Sequence, residues 1–352
     1  MSETLLGLDT NELSALAVSE RQPSYRGKQL AEWLYTRAAH SFEQMTSLPI
    51  EFRGRLATRY AVGRSHVVTT RVAQDATFKL LLEEADGARV ETVGLPYSDR
   101  FSCCVSSQVG CAMGCLFCAT GMAGCSRNLT AGEIVDQVLE VRETAASTPA
   151  VAAGERSGRV DHVTFMGMGE PLLNYESTLK ALHLLNSELG IGERNLTVST
   201  SGIVPGIIKL AGEKLQITLA VSLHAPNDRL REKLMPGLTK WPISELLDAC
   251  SEYIMVTGRR ATFEYCLLDG LNDSESQANE LARILHGMNC HVNLIPFNSV
   301  SGTCLRPSAR EHVKAFRDIL SRAGIQVTQR MERGAGIEAA CGQLRRREAG
   351  SD

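Results

Sequence analysis

No apolar stretch in the 352 residues approaches the roughly 18–20 needed to cross a bilayer. The first residues, Met1 to Asp9, have neither the basic start nor the apolar run of a secretory signal. The expectation is a soluble, cytoplasmic protein that makes no membrane contact. Internal repeats and low-complexity tracts are also missing. Hydrophobic residues make up 43% and charged residues 22%, which excludes wholesale disorder and allows a sizeable core. Nor does one sign of charge dominate, since the formal net charge is only −3. That average hides a segregation. Nine Lys/Arg stand against three Asp/Glu from Arg21 to Arg71, and ten against four from Leu305 to Arg347. Two basic segments of this kind suit either a polyanion-binding rim or solvated helix faces.

Cysteine, by contrast, is plentiful. A closed set of disulfides cannot use all eleven, and a reducing cytosol disfavours such bridges in any case. Six of them fall between Cys103 and Cys125; Cys250, Cys266, Cys290, Cys304 and Cys341 are scattered. Scattered cysteines on apolar elements are usually small core residues. The cluster and any oddly placed outlier therefore need a chemical explanation.

Apolar spacing predicts helices over 5–18 and 27–39, with Leu30, Trp33 and Leu34 on one face, continued by Phe42, Met45 and Leu48. Strands follow over 67–71, 78–83 and 88–95, with Ala85-Asp86-Gly87 as a turn. From Phe101 onward strands and helices alternate. The strands are expected at 101–106, 160–166, 195–199, 216–222, 262–268, 291–295 and 326–330. Helices are expected between them at 131–144, 177–189, 205–212, 243–256, 274–286 and 309–323. These strands look apolar on both faces, as in a parallel sheet sandwiched by helices. The expected fold class is α/β, a partial (β/α)6-type barrel with a small mixed α+β N-terminal accessory unit. Residues 1–95 are expected to form the accessory unit and 96–345 the core, with 346–352 a basic, flexible tail. Residues 147–158 suggest a flexible insertion.

The strongest local signal is Cys111-Ala-Met-Gly-Cys115-Leu-Phe-Cys118. Three thiolates in a loop after a strand can converge on one face of an iron–sulfur cube and leave the fourth iron open. A structural zinc normally takes four ligands, so a zinc site would need Cys125 or a His to complete it. This loop, with an aromatic directly before its third cysteine, resembles the radical S-adenosylmethionine signature. Gly167-Met168-Gly169-Glu170-Pro171, Ser199-Thr200-Ser201-Gly202, Ser222-Leu223-His224 and Pro296-Phe297-Asn298 fit that superfamily's logic at expected strand ends.

The resemblance narrows to the RlmN/Cfr family of RNA adenosine methyltransferases. It rests on Cys104-Val-Ser-Ser-Gln-Val-Gly-Cys111, Asn128-Leu-Thr-Ala-Gly-Glu-Ile, Phe165-Met-Gly-Met-Gly-Glu-Pro-Leu, Ser222-Leu-His-Ala-Pro-Asn-Asp228 and Ile337-Glu-Ala-Ala-Cys341-Gly-Gln-Leu344. It implies a 4Fe-4S cluster on Cys111, Cys115 and Cys118, its open iron holding S-adenosylmethionine, two molecules of which are used per turnover. It also implies cofactor-binding roles for Gly169, Glu170, Ser199, Ser222, Leu223, His224 and Asn298. The catalytic residues implied are Cys341 as methyl carrier, Cys104 as the thiol that releases RNA through a transient disulfide, and Glu91 as proton acceptor. Glu91 could equally be an exposed carboxylate at a strand edge. Cys103 should point away from Cys104, because side chains alternate along a strand.

Adenine carbons 2 and 8 are electron-poor, so direct transfer from a sulfonium methyl is closed to them. A radical route through a methylated cysteine is open. The implied substrate is 23S rRNA, with tRNA as a second, and the implied partner is an external, flavodoxin-like electron donor acting on a monomer. Pro171, Asn227 and Asp228 follow the RlmN pattern (carbon 2) more closely than the Cfr pattern (carbon 8, antibiotic resistance). Two departures stand out: Gly336 where the family has an acidic residue before the Ile, and Cys125 where it has an aromatic or aliphatic one. A radical lyase or sulfur-inserting enzyme on the same barrel would not need Cys341. A non-catalytic iron–sulfur sensor of RNA would release no deoxyadenosine.

Overall fold

The computed structural model describes residues 3–122, 124–148, 159–299, 303–330 and 333–344. The expected tail at 346–352, Arg345 to Arg347 and most of the 147–158 insertion lie outside them. No helix among the described residues is long and apolar enough to cross a membrane.

The N-terminal part is helical. Thr10–Ser19 starts from Asp9, whose carboxylate accepts the N–H groups of Asn11 and Glu12 while Glu12 reaches back to the Asp9 N–H. This reciprocal cap explains why the helix begins five residues later than apolar spacing alone predicts. Tyr25–Ala31 runs into a π-helical turn, Glu32–Thr36, and Ile50–Arg59, which the apolar spacing did not reveal, packs Phe52 and Leu56 inward. Strand β1 (Glu3–Thr4) pairs in parallel with β2 (Tyr60–Ala61) and closes this unit.

Ten strands form one sheet. Three antiparallel members, β3 (His66–Val72), β4 (Phe78–Glu83) and β5 (Arg89–Pro96), lead to β6 (Phe101–Cys104). The β5–β6 ladder pairs Val93 with Cys104 and Pro96 with Phe101. Hydrogen bonding therefore continues across the boundary expected at residue 95. A short hairpin, β7 (Gln108–Gly110) with β8 (Cys125–Asn128), lies off the sheet and frames the three-cysteine loop. At Gly110, φ is +86° and a Cβ would sit 2.0 Å from the Gly124 carbonyl oxygen, so no other residue fits this neck.

Beyond β6 the sheet is parallel, with each strand beside its predecessor: β9 (His162–Phe165), β10 (Leu196–Thr200), β11 (Thr218–Ser222), β12 (Ala261–Leu267), β13 (Cys290–Pro296) and β14 (Gln326–Gln329). The long helices that connect them are Ala131–Ser147, Tyr175–Ser187, Val204–Gly212, Ile243–Thr257, Glu275–Ile284 and Arg310–Arg322. Among the described residues β14 pairs only with β13, so the barrel stays open. The expected partial (β/α)6 barrel is what forms, with β14 as its seventh parallel strand.

One expectation needs correction. Most of these strands are not apolar on both faces. Val163, Phe165, Leu196 and Val198 pack beneath the helices, whereas Ser102, His162, Thr164, Thr197, Thr218, Thr262, Asn293 and Thr328 turn into the barrel and line an open, polar hollow. An open barrel is too wide for side chains to fill, so its inner face keeps hydroxyl and amide groups that a packed core would exclude.

A buried charge cluster fixes the helical unit to the barrel. The Arg64 guanidinium bonds Asp136, Glu140 (2.6 Å) and Glu143 (2.7 Å), all on Ala131–Ser147, and also the Ala38 carbonyl. The Ser65 N–H donates to Asp136 at 2.7 Å.

Candidate active site

The C-terminal strand ends gather the chemistry, as in other β/α barrels. One cavity is lined by Cys111, Cys115 and Cys118, by Gly169, Glu170, Ser199, Ser222, His224 and Asn298, and by Cys341. A second cavity shares Cys118, Asn298, Arg330 and Cys341 with the first and adds Cys104. Two of the sequence-nominated residues line neither. Leu223 is packed in the core and offers only backbone, its N–H donating to the Glu264 carbonyl at 3.1 Å. Glu91 is discussed below.

Burial, with the neighbouring thiols adding, raises Cys111 to about 12 and Cys115 well above the ordinary thiol value. Thiols grouped like this ionise together only opposite a cation, which is the donor set an iron cluster needs. Glu170 is buried too, and burial raises its pKa against the hydrogen bonds it accepts. Those come from the Ser201 N–H and hydroxyl, both at 2.6 Å, and from the Leu172 N–H at 3.0 Å. Gly169 before it has φ +106°, and a Cβ there would lie 2.7 Å from Gln108. Asn298 donates through Nδ2 to the Cys341 carbonyl at 3.2 Å, while its buried Oδ1 has no partner among the described residues. An unsatisfied acceptor in a polar cavity suits a cofactor that carries an amine or hydroxyl donor.

His224 sits at φ +55°, held because Nδ1 accepts the Cys266 N–H (2.9 Å) and its carbonyl accepts Asn272 Nδ2 (2.8 Å). Its edge meets the Phe117 ring at 4.6 Å. Burial, with Arg231 adding, lowers its pKa to about 3, so the ring is neutral and Nε2–H is its donor.

Cys103 and Cys104 face opposite ways. Cys103 packs by Thr92 (3.8 Å), and Cys104 opens onto the cavity that holds Cys341. Burial raises Cys104 to about 12, with Cys341 adding and Arg330 opposing. Arg330, just past β14, is held still more firmly cationic, first by Cys341, against the cost of burial, and also by Glu264 and Cys104.

The loop carrying Cys341 is anchored at several points. The Gly342 carbonyl accepts the Ala119 N–H (2.7 Å), and the Leu344 carbonyl accepts the Thr120 hydroxyl (2.6 Å). Gln343 donates to the Ser299 carbonyl (3.1 Å), and Lys79 donates to the Glu338 carbonyl (2.9 Å). These donors hold the loop without the acidic residue missing at position 336, and they already place Cys341 in the cavity. Lys79 Nζ is also 3.0 Å from Glu91 Oε1, and both side chains are buried. Glu91 is therefore not an exposed edge carboxylate. Cys125 is half-buried on β8 and lines neither cavity.

Sequence reasoning missed Arg330, Glu264 and Ser201. Glu264 is the one ionisable carboxylate of the mostly apolar β12, and Arg330 is a cation at a strand's C-terminal end. Either signal was open to a reading by position.

Comparison with known proteins agrees with this geometry. Residues 105–282 match the model of the radical SAM superfamily, and residues 4–62 match the ribosomal RNA large subunit methyltransferase N-terminal domain. The class is thus a radical SAM enzyme, and the cofactors of that class are a 4Fe-4S cluster and S-adenosylmethionine, for which the three-cysteine loop and the cavity are suited. The chain is 48% identical over 341 residues to a probable dual-specificity RNA methyltransferase RlmN of Thermosynechococcus vestitus, covering 97% of this chain and 98% of that one. It is 49% identical over 347 residues to a protein of the same name from Gloeobacter violaceus, covering 99% and 96%. A solved radical SAM methyltransferase from Sphaerobacter thermophilus superimposes with a TM-score of 0.92 at 45% identity, covering 97% of this chain and 99% of that one. The chain belongs to the RlmN family of radical SAM RNA methyltransferases.

Proposed function

We propose that this enzyme methylates carbon 2 of an adenosine in 23S rRNA, and of an adenosine in tRNA, through a methylated Cys341. The observation that carries the proposal is the shared cavity of Cys104 and Cys341 beside the three-cysteine loop. Cys111, Cys115 and Cys118 would hold the cluster, and Gly169, Glu170, Ser199, Ser222, His224 and Asn298 would surround S-adenosylmethionine. When bound, the two supply methyl groups and a 5′-deoxyadenosyl radical. Cys341 carries the methyl-derived carbon to the base and remains joined to it. Once the ring proton is gone, the Cys104 thiolate attacks the Cys341 sulfur. The S–S bond forms as the bond from the Cys341 sulfur to the methylene carbon breaks; that carbon keeps the electron pair and takes a proton to become the methyl group. A thiol reductant must reopen the disulfide. Arg330, next to both sulfurs, favours their thiolate forms. The resemblance gives Glu91 the adenine proton. It lies buried on β5 behind the cavity wall, its charge balanced by Lys79, so the base must be delivered to it past the Cys341 loop. The N-terminal unit, residues 3–61, serves as the RNA-binding accessory to the barrel.

Mass spectrometry of 23S rRNA and tRNA incubated with the reduced holoenzyme tests this. A methyl on adenine carbon 2 is expected. A methyl on carbon 8 shows the Cfr-type reaction instead, and RNA left unmethylated while deoxyadenosine is released refutes the RNA substrate. Anaerobically purified protein should be brown, and a Cys118→Ala variant should lose that absorbance.

A further inference from the structure

Tyr97, in the β5–β6 turn, borders both the cavity of Cys104 and Cys341 and the polar hollow beneath it. The guanidinium carbons of Arg100 and Arg333 each lie 4.3 Å from the centroid of its ring. Arg333 is fixed further by donating to the Pro96 carbonyl at 2.7 Å, and Arg330 lines the same two cavities. Neither Arg330 nor Arg333 has a carboxylate at salt-bridge distance among the described residues; Arg100 has only the exposed Asp99, at 3.1 Å. A cation on an aromatic face keeps its charge and gains a fixed orientation.

The arginines of the basic N-terminal segment differ. Arg37 pairs with Glu32, Arg55 and Arg59 pair with Glu20, and Arg64 is buried against three carboxylates. Arg53 is turned to the Glu43 carbonyl and Arg26 to Gln29 and the Ser47 carbonyl. Six of the nine cations counted there thus meet acceptors of the protein's own, whereas Arg21, Lys28 and Arg71 have no carboxylate at salt-bridge distance among the described residues. Cations without a buried carboxylate at that distance also stand around Tyr97: Arg330 and Arg333 line the reactive cavity, and Arg100 lines the adjoining hollow.

Resting on the RNA-methyltransferase reading above, we propose that Arg100 and Arg333, spaced by the Tyr97 ring, form a phosphodiester-binding rim that grips the RNA backbone flanking the target nucleotide. An adenine can reach Cys341 only when flipped out of its stack, and its flanking phosphates must then be held close to the cavity mouth. Two guanidinium groups fixed on one ring match that need, because guanidinium binds phosphate through paired N–H donors.

The test is binding of a labelled RNA hairpin, with one unpaired adenosine in its loop, to the reconstituted holoenzyme across a salt series. Each phosphate contact contributes about 0.7–0.9 to the slope of log K against log salt. Arg100→Gln and Arg333→Gln should each lower the slope by about that amount and weaken binding several-fold at moderate salt. Arg100→Lys should keep the slope, and Tyr97→Leu should weaken binding with both charges still present. Circular dichroism and cluster absorbance matching the unmodified protein establish that each variant is folded. Slopes and affinities equal to those of the unmodified enzyme in both Gln variants overturn the rim. If the unmodified enzyme shows the slope but methylates no RNA, the rim stands and the functional reading falls.

Discussion

Cys104, which ends β6, and Cys341, in the loop after β14, open onto one cavity, with the Arg330 guanidinium beside both. Sheet order makes this meeting possible: β6 and β14 are the first and last parallel strands of an open barrel, and the terminal loop closes the gap between them. If the two sulfurs act in sequence, each variant should stop at a different stage. Cys341→Ala should methylate no RNA. Cys104→Ala should accumulate RNA covalently attached to protein, seen as a band on a denaturing gel that ribonuclease removes.

Lys79 touches both Glu91 and the backbone that carries Cys341. Lys79→Met should strip the ion pair from a buried carboxylate and release one anchor of the loop. Turnover should fall by about tenfold or more, as expected for a loss on the order of 1.5 kcal/mol. If Glu91 takes the adenine proton, covalent RNA adduct should build up as well. Lys79→Arg should recover part of the rate, and a purely structural loss would show no adduct.

Asn298 joins the cavity to the tail loop through its bond to the Cys341 carbonyl, and its Oδ1 is spare. Asn298→Ala should raise the KM for S-adenosylmethionine about fivefold to tenfold, the worth of one hydrogen bond of about 1 kcal/mol. Initial-rate kinetics at saturating RNA measure it.

Arg64 is the only cation among the described residues that bonds Asp136, which is fully buried. Arg64→Leu leaves that carboxylate without its counter-charge and should destabilise the fold by about 3–5 kcal/mol. Denaturant titration reads the loss, and junction contacts such as the Ser65–Asp136 bond should weaken with it.

Glu84, beside this cluster, has its pKa raised to about 8, first by burial and then by Glu133 and Asp136; its Oε1 has no partner among the described residues. A carboxyl that holds its proton more tightly in the folded state contributes stability below its unfolded pKa, near 4.5. That contribution is lost as pH climbs toward 8. The urea midpoint should therefore fall between pH 5 and pH 8.5, and Glu84→Gln should flatten the decline.

The sequence by itself determined the rhythm of the barrel, because buried strands and amphipathic helices alternate with periods that the order of apolar residues betrays. Spacing likewise exposed the three-cysteine loop, and resemblance to known motifs pointed to the Gly169-Glu170 turn and the outlying Cys341. The inward hydroxyl face could have been read from Leu196-Thr-Val-Ser-Thr200, where apolar and polar residues alternate, but the open barrel that makes room for it could not. Only the tertiary structure decided that Glu91 is buried against Lys79, that the tail loop is anchored, and that the N-terminal arginines are mostly engaged while Arg100 and Arg333 flank Tyr97. Most of these pairings join residues distant in sequence, such as Lys79 with Glu338 and Arg333 with Tyr97. Burial and charge compensation are set by what the fold brings opposite a group, and no local pattern carries that information.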